Sequence, residues 1–178
     1  MNTSRSIVVA AALLIAGTGA THLTAAPGPK NPTAPITATL SGLGCATSIG
    51  GDSFEARSWS WGATNTATDF GSGGGSGKAS ISALSLTRVS DACSPDLLGA
   101  VVTGKHYQTF TLSQFDKDGV LKATVLLTDV IVTSWQVGGT NTSAEAAEQV
   151  QISFRKLTFT DVASGNKFSW DVAANKSS

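Results

Sequence analysis

Several stretches carry residue types that could do chemistry. Lys105-His106-Tyr107 offers an acid–base group. A general base needs a positioned partner and a pocket, and no nucleophile motif such as Gly-x-Ser-x-Gly occurs, so this trio reads as a polar entry into a strand. Asp116-Lys117-Asp118-Gly119 begins like a calcium loop, but the later acidic ligands, above all the final Glu, are missing, and a hairpin turn accounts for it. The tract Gly71-Ser72-Gly73-Gly74-Gly75-Ser76-Gly77-Lys78 ends in Gly-Lys as a phosphate loop does. Ala79 then stands where Ser or Thr would hold the magnesium ion, and a strand pattern follows instead of a helix. Glu145 and Glu148 read as a solvated turn of helix, not a carboxylate pair. Asn141-Thr142-Ser143 has the form of a glycan acceptor. Two isolated cysteines, Cys45 and Cys93, and two distant histidines, His22 and His106, do not make a four-ligand metal set. The expectation is a protein with no catalytic, cofactor or metal site.

Composition narrows the class further. The chain has 178 residues and no net formal charge, with few charged side chains and many Ser, Thr and Gly. No basic stripe is present to neutralise phosphates and no basic amphipathic helix to lie on a membrane, which argues against nucleic-acid and membrane partners. At the N-terminus Arg5 precedes the apolar run Ile7–Ala16, followed by small residues. That is the layout of a signal peptide over residues 1–26, with cleavage near Ala20 or Ala26 and an apolar core too short to span a bilayer. The expected destination is the periplasm or the outside. Removing residues 1–26 takes away only Arg5, leaving 11 basic against 12 acidic residues. In an oxidising compartment Cys45 and Cys93 are candidates for a disulfide, worth about 3–4 kcal/mol in the chain-entropy model. The alternative is two unpaired small residues.

The elements that would position these groups are mostly strands. Residues 27–35 hold four prolines and read as a linker. A domain over 36–172 follows, and 173–178 form a tail. Ile36–Leu40 reads as a strand, and so does Phe54–Trp61, where Trp59 and Trp61 share a face because side chains alternate. Ala79–Val89 changes its apolar face between Ala83 and Leu84, the mark of a bulge or of burial on both sides. Ser94 to Gly104 is the one helix expected in the domain: Ser94 as cap, Pro95 in the first turn, Asp96 near the positive helix end and Gly104 as terminator. Leu97, Leu98, Val101 and Val102 form its apolar face. His106–Phe115 and Val120–Thr128 make a hairpin about Asp116–Gly119, and Asp129–Val137 reads as a further strand. Gln149–Val162 buries Val150, Ile152 and Phe154 on one face, then Leu157 and Phe159 on the other. Lys167–Val172 closes the series. The sum is a mainly β fold, a small β-barrel or tight sandwich of antiparallel strands with one flanking α-helix.

An ordered set of segments carries a resemblance. Ser58-Trp59-Ser60-Trp61-Gly62, the glycine tract ending Gly77-Lys78, Leu84-Ser85-Leu86-Thr87 and Ser94-Pro95-Asp96-Leu97-Leu98 come first. Gly104-Lys105-His106-Tyr107, Leu127–Ser134, Gly138-Gly139 and Glu148–Phe154 follow in order and spacing. Over roughly Ile36 to Trp170 the chain resembles the Hcp (haemolysin-coregulated protein) family, tube subunits of type VI secretion systems. The resemblance implies a non-catalytic β-barrel that closes into hexameric rings, stacks into a tube, and works with a spike protein and small effectors in its lumen. It also implies a role for Gly71, Gly73, Gly74, Gly75, Gly77 and Lys78 as a loop in contacts between stacked rings. Tube-building members have no signal peptide, and in that respect this chain departs from the family. An exported monomeric binding module, recognising a ligand through Trp59, Trp61 or Trp135, is the alternative reading.

Overall fold

The computed structural model describes residues 35–66 and 78–178. The expected leader, most of the linker and Gly71 to Gly77 lie outside the described residues. In chain order the strands before the helix are β1 (Ile36–Leu40), β2 (Ala46–Thr47), β3 (Gly50–Gly51), β4 (Ser53–Glu55), β5 (Ser58–Ser60), β6 (Ala63–Asn65), β7 (Ala79–Ile81) and β8 (Leu84–Val89). The helix α1 (Ser94–Thr103) leads to β9 (His106–Phe115), β10 (Leu121–Gly138), β11 (Ala147–Asp161), β12 (Lys167–Asp171) and β13 (Lys176–Ser177).

The body is one antiparallel sheet running β13-β12-β11-β10-β9-β1-β4, with β8 laddered to β11 and β5 to β8. The far edge of β11 is shared. Its first half, Ala147–Ile152, pairs with β8, and its second, Lys156–Thr160, with β12. Ser53–Ser60 reaches both margins of this sheet: β4 pairs with β1 and β5 with β8. Between them Ala56 N–H donates to Ile36 O and Arg57 N–H to Thr87 O. The expectation of a closed barrel is therefore corrected. The sheet curls until its margins are two residues apart, but no ladder joins β4 to β5, and the chain itself crosses the gap.

A shared crease explains the phase slip read in the sequence. Inward residues are three apart in three adjacent strands: Tyr107 and Phe110 in β9, Leu127 and Val130 in β10, Phe154 and Leu157 in β11. They lie opposite one another, Tyr107 beside Val130 beside Phe154, and Phe110 beside Leu127 beside Leu157. Strict alternation would turn one member of each pair outward. Asp129, with φ 55°, supplies the extra turn in β10, and no register is lost there. All six side chains then pack on one core, with Phe154 half-buried. Val120–Thr128 and Asp129–Val137 are thus one strand, bent at Asp129.

Other expectations change in detail. Ala79–Val89 is two strands in different sheets, because the chain leaves the β6–β7 ribbon at Ser82–Ala83 before joining the body. In α1 the N-cap is Cys93 without a side-chain bond, and Ser94 Oγ instead accepts from Asp91 N–H at 2.9 Å. Gly104 ends the helix with φ 62°. The helix buries Leu97 and Ala100, whereas Leu98 and Val102 stay 41% and 72% exposed, so its inner stripe is narrower than expected. Residues expected as a tail carry β13.

Candidate functional site

None of the candidate chemical groups meets a reacting partner among the described residues. Lys105 Nζ donates to Gly42 O at 2.9 Å and lies 4.8 Å above the Tyr107 ring. His106 is exposed, its Nδ1 3.7 Å from Asp129 Oδ1. Tyr107 is buried, and desolvation above all, with Asp96 and Asp52 adding to it, pushes its hydroxyl above its ordinary pKa. The aspartates close turns. Asp116 accepts from Val120 and Asp118 N–H in the hairpin, Asp161 from Ser164 N–H, and Asp171 from Ala174 N–H. Such bonds hold all three carboxyls below their usual range. No cluster of three His, Cys, Asp or Glu that could hold a metal occurs among the described residues. A groove of about 440 Å³ lies between Thr47–Ile49, Arg57, Asp91 and Glu145, without a nucleophile–base pair.

The expected solvated pair Glu145 and Glu148 is split. Glu145 is exposed and pairs with Arg57 at 3.3 Å. Glu148 is a buried residue of β11, opposite Arg88 of β8. Arg88, also fully buried, pairs with Asp91 and, at 3.5 Å, with Glu148, and its guanidinium carbon lies 4.6 Å from the Phe54 ring centroid. Ser90 Oγ donates to Glu148 Oε1 at 2.8 Å. A buried guanidinium between two carboxylates is a structural ion cluster. Sequence reasoning missed it, because Arg88 and Glu148 meet only through the β8–β11 ladder.

The cysteines and tryptophans are also placed. Cys45 and Cys93 form a disulfide, with Cα atoms 5.0 Å apart. Trp59 Nε1 donates to Gln114 Oε1 at 3.1 Å, and the Trp61 ring centroid lies 6.5 Å from that of Phe159. These two and Trp135 are half-buried against the core, which favours packing over ligand recognition.

The strands on either side of the glycine tract in sequence form a separate ribbon. β6 and β7 pair only with each other, Ala63 opposite Ile81 and Asn65 opposite Ala79. Every residue of β6 is exposed, as is Ser80 at the centre of β7. The base is fastened by Ser82 N–H donating to Gly62 O and Gly62 N–H to Ser82 Oγ, both at 2.9 Å. Lys78 is exposed at the start of β7, and Gly71, Gly73, Gly74, Gly75 and Gly77 fall in the part not described.

With the antiparallel body, the helix and the ribbon described, the chain can be set beside known families. Residues 45–160 match the family described as type VI secretion system effector, Hcp. The chain belongs to the Hcp family. Its fold is similar to Hcp1 from Salmonella typhimurium, with 23% identity and a TM-score of 0.67 over 80% of this chain and 97% of that one. A type VI secretion system effector from Yersinia pestis is similar at 22% identity and a TM-score of 0.63, over 77% and 99% of the two chains. The secreted protein Hcp3 from Pseudomonas aeruginosa follows at 19% and 0.56, over 76% and 96%. At these identities the structures speak for the fold alone. No curated protein matches the sequence. Among the described residues no helix is long and apolar enough to cross a membrane.

Proposed function

We propose that this Hcp-family protein is a non-catalytic structural subunit that closes with copies of itself into hexameric rings, which stack into a tube. The observation that carries this reading is the β6–β7 ribbon, which pairs only with itself, exposes all of β6 and rests on the core through Ile81; in sequence it brackets the glycine tract Gly71–Gly77 and Lys78. An element with so little buried surface adds little to the stability of a lone subunit, so its use lies in meeting another one. Head-to-tail contacts that close by rotation give rings, and the ribbon would bridge one ring to the next. A spike protein at the tube tip and small effectors in its lumen are the partners this role implies. Export through residues 1–26, which tube-building members lack, would place this assembly in a disulfide-forming compartment outside the cytoplasm.

Light scattering and negative-stain microscopy of the purified mature protein under oxidising conditions test it. Rings of about six subunits, alone or stacked, are expected. A monomer at every concentration would reject assembly and leave an exported monomeric binding module.

A further inference from the structure

The segment between β1 and β4 forms a strap held over the start of α1. Its ends are tied by backbone: Leu40 N–H donates to Asp52 O and Ser41 N–H to Thr109 O. Its turn is internal, with the Asp52 carboxylate accepting from Gly42 and Gly44 N–H at 2.9 and 2.6 Å, and Ala46–Thr47 pairing with Gly50–Gly51. Only Leu43 and Cys45 of residues 41–52 are buried. Little apolar surface therefore holds the middle of the strap down.

The facing helix start rests on the core through Leu97, but its cap is not closed by a side chain of its own. Its N-cap residue, Cys93, makes no side-chain capping bond, and its N–H is held instead by Asp91 Oδ1 at 2.7 Å. Asp91 in turn is the partner of buried Arg88. The disulfide joins the strap to the N-cap of the helix, and its sulfur-bearing residues are 5% and 0% exposed.

We propose that the Cys45–Cys93 bond is a redox latch: oxidised, it clamps the strap to the first turn of α1; reduced, both loosen locally while the curled sheet stays folded. Opening consumes two electrons and two protons. A dithiol reductant supplies them, giving the Cys45 and Cys93 thiols and its own cyclic disulfide. Because the sulfurs are buried, the strap has to lift before a thiol can attack, so the closed latch resists reductant in proportion to how seldom it opens. The latch acts within one subunit and does not depend on ring formation.

Hydrogen exchange read by mass spectrometry, comparing the oxidised protein with Cys45→Ala/Cys93→Ala, tests it. Amides of residues 41–52 and 94–98 are expected to exchange about tenfold faster or more in the variant, with residues 125–132 and 150–157 unchanged. Equal acceleration in the central strands, or none in the strap, overturns the latch. Should the variant not fold, the native protein is treated with dithiothreitol and its thiols are trapped by alkylation. Thiols appearing faster than global unfolding support local opening; thiols appearing only at the global unfolding rate overturn it.

Discussion

The β9–β10–β11 body and the β6–β7 ribbon are both antiparallel ladders, yet they are held by different forces. In the body each backbone bond comes with buried side chains on the core face, Phe110, Leu127 and Leu157 among them. In the ribbon the backbone bonds are the same kind, but the side chains of Ala63, Thr64 and Asn65 stand in solvent. A two-stranded ribbon that rests on the core through little more than Ile81 is marginal by itself. Backbone pairing thus sets geometry in both places, while burial decides which one is part of the folded unit's stability. The ribbon is free to be shaped by what it touches.

The sharpest way to break the contrast is to strike the body where it is polar. Arg88→Ala leaves Glu148 buried without its cation, and a loss of about 3–5 kcal/mol is expected in urea unfolding. A loss within about 0.5 kcal/mol, the level of surface substitutions, would show that water already reaches the cluster.

A smaller effect is expected at the strap. Backbone N–H bonds from Gly44 and then Gly42 hold the Asp52 carboxyl below its usual pKa. A carboxyl depressed in the folded state contributes stability above its unfolded pKa and loses it as pH falls through the folded one. The Tm difference between the protein and Asp52→Asn should therefore be full near pH 7, and shrink from about pH 5 downward. Asn tolerates the positive φ of 62° at this position, so the comparison isolates the charge. A difference independent of pH would assign the role to shape alone.

The smallest effect on stability belongs to the ribbon. Replacing residues 66–78 by Asn-Gly, which suits a two-residue hairpin between Asn65 and Ala79, should leave the urea midpoint of the subunit unchanged. In the assembly reading the same variant forms single rings that no longer stack under the microscope. Stacks of normal length would remove the loop from that role.

These differences also mark what the sequence could say. Ile36–Leu40 and His106–Phe115 were legible to the residue, since turn signals and β-branched runs bound them on both sides. The slip between Phe154 and Leu157 was legible as a change of face, but its alignment with Tyr107–Phe110 and Leu127–Val130 depends on register, which one strand does not carry. Glu148 misled because Ala144–Glu148 has a local helical composition; pairing with Arg88 overrides that preference. Closure failed for a similar reason. Strand patterns imply a curled sheet, whereas the gap at Ala56–Arg57 depends on where two ladders end. For the candidate site, the Arg88–Glu148 pair was hidden because its two members lie sixty residues apart and meet only across a ladder. The disulfide was readable only as a choice between pairing and not pairing.

The two-residue gap in the curled sheet has a consequence for unwanted association. The strands at the margins of the body, β4, β5 and β13, are only two or three residues long. A stray chain seeking to extend a sheet needs a long open edge as a template, and these three short margin strands deny it one there. In the assembly reading, contacts between copies would then fall to side-chain surfaces and to the ribbon, separate from the strand addition that leads to aggregates.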